Sequence, residues 1–444
     1  MSKKTVKKRS ESENLSPDNQ ARIAQLRSRA SKLLRHTCEA MRQEYNDSGI
    51  AVAGEAGCFV IGIPLPGLAM EYLLQNTVYP LGRMTQIVGT EGTCKSALCF
   101  EMARWFNSCA GTGYLFENES KYSDDYANSI IGWPASSDEN VLGYLRCASL
   151  EDWQSRLLDV VSRIKAAEAG AYLPVLLILD SIMGKLSAES QQNIDRVGYA
   201  DRAFPVEALK INNFLKKFPQ DIEGWPISFV AVNHLKPQKA EHGMHTERHK
   251  AGGRSISFQE TFEIEMSRDK SPHIRLVDPQ GFEIGGLNLK LACKKNSLGE
   301  TDRAIHAAVK WTHRPIGNNG EYRQITRWDW PESAVKLLTS FEKGHRATKI
   351  KEIVNIQGNG QKYWCNDVGI SKEAATSAHD VGVAIEKDTA RLNELRKLFG
   401  IKVRTVFEPG VPYAQQVERE RKRAEAAVLE LEQAAAAVTE ATAS

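Results

Sequence analysis

An α/β fold with a mostly parallel central sheet is predicted for this 444-residue chain by three features of its sequence. Short apolar runs alternate with amphipathic stretches from about 57 to 315. The runs CFVIGI, MTQIVG, GYLFEN, GYLRC, PVLLILD and PISFVAVN have the length of strands, and the stretches 95–109, 121–131, 150–169 and 202–217 read as helices between them. A glycine-bearing stretch of phosphate-loop type joins one of these strands to the helix after it. Such alternation puts helices on both faces of a parallel sheet.

In chain order, residues 1–15 read as a disordered basic N-terminus. A helix and linker over 16–56 follow, with Ser16 as cap and Pro17 in the first turn. Ile23, Leu26, Ala30, Leu33, Thr37, Met41 and Tyr45 recur at near-helical spacing and make one face sticky, suited to its own core or to a neighbouring protomer. The main domain spans 57–330, with later strands at 260–266, 288–294 and 305–311 extending its sheet. From 331 to 444 the chain is helical and polar, ending in a charged, alanine-rich stretch that reads as an exposed helix and tail. No apolar run reaches the length that crosses a bilayer, and MSKKTVKKRSESENLS carries no apolar segment behind its charges, which argues against a secretory signal. Cysteines 38, 58, 94, 99, 109, 147, 293 and 365 are scattered without a CxxC pair, so reduced thiols are expected rather than a disulfide framework or a structural zinc site. A net charge of +3 is too small to prove a nucleic-acid partner, which leaves that question to local clusters.

Gly89-Thr90-Glu91-Gly92-Thr93-Cys94-Lys95-Ser96 follows a strand and opens a helix, the setting a phosphate loop requires. Backbone N–H groups and the helix N-terminus would face the phosphates, Lys95 would neutralise the β and γ oxygens, and the Ser96 hydroxyl would ligate Mg²⁺. Cys94 stands where the GxxxxGK[ST] pattern has its last glycine, a residue that lets the backbone approach a ligand without a Cβ. PVLLILDSIMG ends its strand in Asp180-Ser181, where a carboxylate is placed to hold Mg²⁺ through water. An isolated aspartate there is more often a turn residue; its position about 90 residues after the loop favours the metal role. GYLFENES brings Glu117 and Glu119 to the same sheet edge, where a carboxylate can orient an attacking water as general base or remain a solvated loop acid. PISFVAVNHLKP ends in Asn233-His234, polar groups able to sense a terminal phosphate.

These four segments, in this order and spacing, resemble the ATPase core of the RecA family of strand-exchange recombinases, and within it the phage UvsX-type branch, over roughly 57–315. The resemblance implies a RecA-like P-loop core that binds ATP and Mg²⁺. It sets Glu119 on the family's catalytic glutamate, Tyr126 on the tyrosine that covers the adenine, and Asp180 on the Walker B aspartate. His234 falls on the glutamine that couples nucleotide to DNA, a position where the phage branch has histidine. That branch accepts a non-glycine residue before the loop lysine, so Cys94 resembles a lineage feature. LKLACKKNS puts Lys294 and Lys295 on a strand whose lysines, in the family, reach the γ-phosphate of the neighbouring protomer; an exposed basic strand end is the alternative.

Two segments match the family's DNA-binding loops. The first, KLSAESQQNIDRVGYADR, carries Lys185, Arg196, Tyr199 and Arg202. The second, HLKPQKAEHGMHTERHKAGGRSISF, carries Lys236, Lys239, Arg248, Lys250 and Arg254 against Glu241 and Glu247, and its AGGRSISF end, with Gly252, Gly253 and Phe258, resembles the family's GGxAxxF signature. Lysine and arginine suit a phosphate backbone, and the glycines let main-chain N–H groups come close to it. His242, His245 and His249 would share a face on a helix, but no cysteine or acid completes a tetrahedral metal site, and DNA contact is the better reading.

The function expected from the resemblance is an ATP-dependent homologous recombination protein, a DNA-dependent ATPase. It would self-assemble into a helical filament on single-stranded DNA and exchange strands with homologous duplex DNA. The C-terminal region carries no interpretable motif and would serve duplex DNA, a loading factor or a single-strand-binding protein. The rivals are a RecA-like ATP-binding regulator, a non-hydrolysing DNA scaffold and a hexameric helicase. The expected location is the cytoplasm, that of the host if the chain is phage-encoded.

Overall fold

The computed structural model describes residues 36, 37, 40, 41, 60–132, 142–182, 187, 190, 204–238, 247–250, 259–278, 280–316 and 321–443. Val60–Gln416 forms one compact unit, and Met1–Phe59 with Val417–Ser444 a second. In the second, positions 36, 37, 40 and 41 are helical, as is α10 (Tyr413–Ala443) from residue 417 onward; the rest of the helix expected over 16–56 lies outside the described residues. Among those described, no helix is long and apolar enough to cross a membrane.

In the larger unit, β1 (Ile61–Pro64), α1 (Leu68–Leu74) and β2 (Val78–Pro80) lead into β3 (Met84–Gly89). There follow α2 (Lys95–Asn107), β4 (Thr112–Glu117), α3 (Asp124–Ile131), β5 (Leu142–Arg146), α4 (Leu150–Ala166), β6 (Val175–Asp180), α5 (Phe204–Ile222) and β7 (Ile227–Gln238). The chain then makes β8 (Glu247–Lys250), β9 (Phe262–Val277), β10 (Glu283–Asn296), β11 (Arg303–Ile316) and β12 (Glu321–Trp328). The main sheet has the order β12-β11-β10-β9-β3-β7-β6-β4-β5, with β8 paired to β7. From β9 to β5 every neighbour is parallel; from β9 to β12 every neighbour is antiparallel. The α/β alternation read from the sequence is therefore present, with β3, the strand before the Gly89–Ser96 loop, at the centre.

One core lies between the parallel strands and two helices. Ser149 caps α4 by accepting from the Asp152 amide at 3.1 Å, and Trp153, Leu157, Val161 and Ile164 then fall on one face at helical spacing. They meet Ile211, Leu215 and Phe218 of α5 over Leu177, Leu179, Phe229 and Ala231 of β6 and β7. Trp153, Phe218 and Phe229 are fully buried, the two phenylalanines each worth about 1.5–3 kcal/mol. The helix after the Gly89–Ser96 loop, α2, is held differently. The buried Glu101 carboxylate accepts from Trp105 Nε1 at 3.0 Å, Trp330 Nε1 at 2.9 Å and the Arg104 guanidinium, while Trp328 Nε1 donates to Ala97 O at 3.3 Å. The indoles of Trp328 and Trp330 fix the position of α2, and with it the glycine-bearing loop before it.

Several elements depart from the sequence reading. Ile61–Ile63 of CFVIGI lie in β1, outside the main sheet, which pairs with β2 and with β15 (Thr405–Val406) in a separate three-stranded sheet. An apolar run reports burial, and burial does not name the partner strand. The strands expected at 260–266, 288–294 and 305–311 run well beyond those bounds, and β12 is an additional strand, because EYRQITRW is too polar to register as an apolar run. The helix expected over 202–217 runs on to Ile222, with Pro219 inside it. His249 lies in β8, an extended segment, so the helical spacing of the three histidines does not apply there. The segment after β12, set apart by composition, packs into the same unit through α6 (Trp330–Thr339), α7 (His345–Ile353), the two-stranded β13 (Gln357–Gly358) and β14 (Tyr363–Trp364), α8 (Ala378–Lys387) and α9 (Thr389–Phe399). Arg396 of α9 clasps buried Glu71 of α1 through two bonds of 2.7 and 2.6 Å.

Candidate nucleotide-binding site

β3 ends at Gly89, flanked in register by His234 of β7 and Met266 of β9. A Cβ at Gly89 would lie 2.6 Å from Met266 O and 2.7 Å from Thr93 Oγ1, so the loop leaves the sheet through a space that admits glycine alone. Gly92 and Cys94 both take the left-handed backbone, at φ 69° and 59°. Cys94 is the residue before α2, and its carbonyl accepts from Leu98 N at 3.0 Å while its thiol makes no capping bond. The amides of the first turn of α2 therefore have no partner within the helix and are available to an anion. The last glycine of the usual pattern is thus a conformational requirement that Cys94 meets against its own preference. Burial pushes the Cys94 thiol up, against Arg268 and Lys95, so it stays neutral in the loop.

Lys95 curls over the loop, its ammonium donating to Gly89 O at 3.1 Å and Thr90 O at 2.8 Å. Burial lowers its pKa, opposed by Asp180 and Glu119. Ser96 Oγ donates to Asp180 Oδ2 at 2.5 Å. Burial raises the Asp180 carboxyl above its ordinary range, with the Ser96 bond pulling it back. The Asp180–Ser181 peptide is cis.

The two glutamates of GYLFENES separate cleanly. Glu117 is buried and accepts the backbone amides of Glu119 and Lys121, both at 2.9 Å, so it shapes the loop that follows β4. Glu119 faces the cleft. Its Oε1 accepts from Ser181 Oγ at 2.6 Å and pairs with His234 Nε2 at 2.8 Å, and its Oε2 meets Lys121 Nζ at 3.0 Å. The His234 bond, helped by Ser181 and Lys121 and opposed by burial, holds the carboxyl well below the usual carboxylate range. Glu119 is therefore ionised at neutral pH, and His234 Nε2 donates to it.

Lys95, Ser96, Asp180, Glu119 and His234 all line one cleft of about 660 Å³. Tyr126, 38% exposed and edge-on to Phe100 at 6.1 Å, stands on its wall. Sequence reasoning missed the rest of the lining. Leu287, Val309, Trp311 and Gln324 come from the antiparallel strands, and Arg268 donates from Nε to Gly92 O at 3.0 Å. Leu287 sits opposite Val309 and Gly285 opposite Trp311, whose indole leaves no room for a Cβ on Gly285. Only the pairing register could have announced these residues, because nothing in the local sequence ties Trp311 to a loop 220 residues earlier.

Other expected site residues fall elsewhere. Lys294 pairs with Asp302 at 3.6 Å, and Lys295 sits opposite Glu263, which is opposite Gln86 near the start of β3. Both lysines thus lie toward the end of the sheet away from Gly89, and neither lines the cleft. Lys236 lies on β7 and Arg248 and Lys250 on β8, in a hairpin where Leu235 faces Lys250 and Pro237 faces Arg248. Lys185, Arg196, Tyr199, Arg202, Lys239, Gly252, Gly253, Arg254 and Phe258 lie outside the described residues.

The donor set suits Mg²⁺. The Ser96 hydroxyl and the Asp180 carboxylate are adjacent hard oxygens, and among the described residues no group of three His, Cys, Asp or Glu side chains forms a self-sufficient metal cage. Mg²⁺ is commonly bound by one or two such donors, with water and substrate phosphates completing the shell. No protein-family model matches the chain, and no curated protein matches it.

Proposed function

We propose that the protein is a DNA-dependent ATPase of the RecA-like strand-exchange kind, which assembles on single-stranded DNA and pairs it with homologous duplex. The observation that carries the reading is the convergence of Lys95, Ser96, Asp180, Glu119 and His234, from four separate segments, on one cleft at the carboxyl ends of parallel strands. There the loop amides and Lys95 would bind the phosphates of ATP. Tyr126 and Trp311 would flank the base. Ser96 and Asp180 would hold Mg²⁺, which would supply positive charge against the phosphates. Glu119 would take a proton from water as its oxygen bonds to the terminal phosphorus and the bond to the departing diphosphate breaks.

The DNA half of the proposal rests on β7. The strand that presents His234 to Glu119 continues without interruption to Gln238 and pairs with β8, the part of the basic segment bearing Arg248 and Lys250. A change at the terminal phosphate can thus pull on the basic hairpin through the backbone of one strand. Assembly into a filament, with Lys294 or Lys295 reaching a neighbour's nucleotide, belongs to the same proposal.

The test is steady-state ATP hydrolysis with and without single-stranded DNA, with Lys95→Ala as blank. Strong stimulation by DNA, absent in Lys95→Ala, is the expected result, and Glu119→Gln should bind ATP without turning it over. ATP binding with no stimulation would favour the regulator or scaffold and refute the coupled ATPase.

A further inference from the structure

Lys121 is a cation in the cleft to which no sequence pattern gives a role. Its ammonium lies 3.0 Å from Glu119 Oε2 and 4.0 Å from Glu91 Oε1, so it stands between the carboxylate and the phosphate loop. Glu119 Oε1 already takes two donors, Ser181 and His234, which leaves Oε2 as the oxygen with capacity for a water proton. Lys121 sits on that oxygen. A carboxylate neutralised by an ammonium is a weaker base, so the pair as it stands opposes the role Glu119 would play. The pair is also easily exchanged. The Lys121 side chain is 67% exposed, and ion pairs of that kind are held weakly. A terminal phosphate bound on the loop beside Glu91 would offer Lys121 several negative oxygens within its reach.

We propose that Lys121 exchanges Glu119 for the terminal phosphate of a bound nucleoside triphosphate, freeing the base and recognising the phosphate in one movement. The inference rests on the nucleotide-hydrolysis reading and adds to it a triphosphate sensor on the loop after β4. A diphosphate presents nothing at that position and leaves Lys121 on Glu119, so the device distinguishes substrate from product.

The experiment uses the full chain with Lys121→Met and Lys121→Arg, measuring ATP and ADP affinity together with kcat and KM for ATP. Lys121→Met should reduce the preference for ATP over ADP by about tenfold and lower kcat by a similar factor, since Lys121 stays with the phosphate as charge develops on it. Lys121→Arg should keep most of both, and the thermal unfolding of either variant should match the parent protein, because the side chain is exposed. A purely structural lysine would leave the ATP to ADP ratio untouched. An unchanged ratio in Lys121→Met, whether kcat is unchanged or raised, overturns the inference while the parent protein still hydrolyses ATP. A parent protein that neither binds nor hydrolyses ATP, matching Lys95→Ala, overturns the nucleotide reading and this inference with it.

Discussion

The left-handed backbone at Cys94 makes a quantitative prediction about the loop before α2. That conformation costs a residue with a Cβ about 1–2 kcal/mol. Glycine escapes the cost but loses about 0.5–1 kcal/mol more backbone entropy on folding. Replacing Cys94 also removes whatever its partly buried thiol contributes, a loss shared by Cys94→Gly and Cys94→Ala. The comparison of those two variants cancels it and isolates the backbone. Cys94→Gly should therefore be the more stable by about 0.5–1 kcal/mol, a factor of roughly 2–5 in the unfolding equilibrium. Thermal unfolding of the two purified variants side by side, without nucleotide, is the assay, with denaturant midpoints as the check. Cys94→Val should fall below both, because a β-branched side chain fits this backbone worst. An alanine variant as stable as the glycine variant, or more so, would refute the left-handed assignment and with it the account of why this position usually holds glycine.

Two further predictions concern the packing of the C-terminal helices on the core. Gly382 lies in α8 with its Cα against Pro331, where a Cβ would meet the Pro331 carbonyl oxygen at 2.1 Å and its carbon at 2.5 Å. Gly382→Ala must push α8 off the start of α6 and should cost about 1–3 kcal/mol, read as a lower unfolding midpoint; a neutral result would mean that the helices do not touch there. His379 of α8 bonds Asp329 at 2.8 Å, and that bond raises the imidazole pKa. Burial pushes Asp329 up, but His379 and Lys310 outweigh it and hold the carboxyl low. A raised histidine stabilises fully below its unfolded value of about 6.5 and loses the contribution as pH rises through the higher folded value; Asp329 keeps its own contribution above about 3.8. The stability gap between parent and His379→Gln should thus be widest between about pH 4 and 6.5 and close at alkaline pH. Unfolding scans across that range check it, and a gap independent of pH would remove the ion pair from the account.

How much was legible in the sequence follows from which features are local. Gly89 to Ser96, Asp180 at the end of an apolar run and Asn233-His234 at the end of another are each defined by their immediate neighbours, and each segment puts a residue on the cleft: Glu91 to Ser96, Asp180 and His234. The choice between Glu117 and Glu119 was open on residues alone, since both stand in the short segment GYLFENES that closes one strand. Folding decides it: Glu117 turns inward to hold two loop amides, and Glu119 turns out to Ser181, His234 and Lys121.

The sequence by itself determined the α/β alternation, the loop and its lysine, and the acids at strand ends, because periodicity and backbone chemistry act over a few residues. Only the tertiary structure decided the side of the cleft built from Leu287, Val309, Trp311 and Gln324, the seat of Arg268 on Gly92, the exclusion of β1 from the main sheet and its pairing with the distant β15. Those depend on strand order and pairing register, in which a shift of one residue sends each side chain to the opposite face. No short stretch of residues carries that information; it arises when distant strands lie side by side.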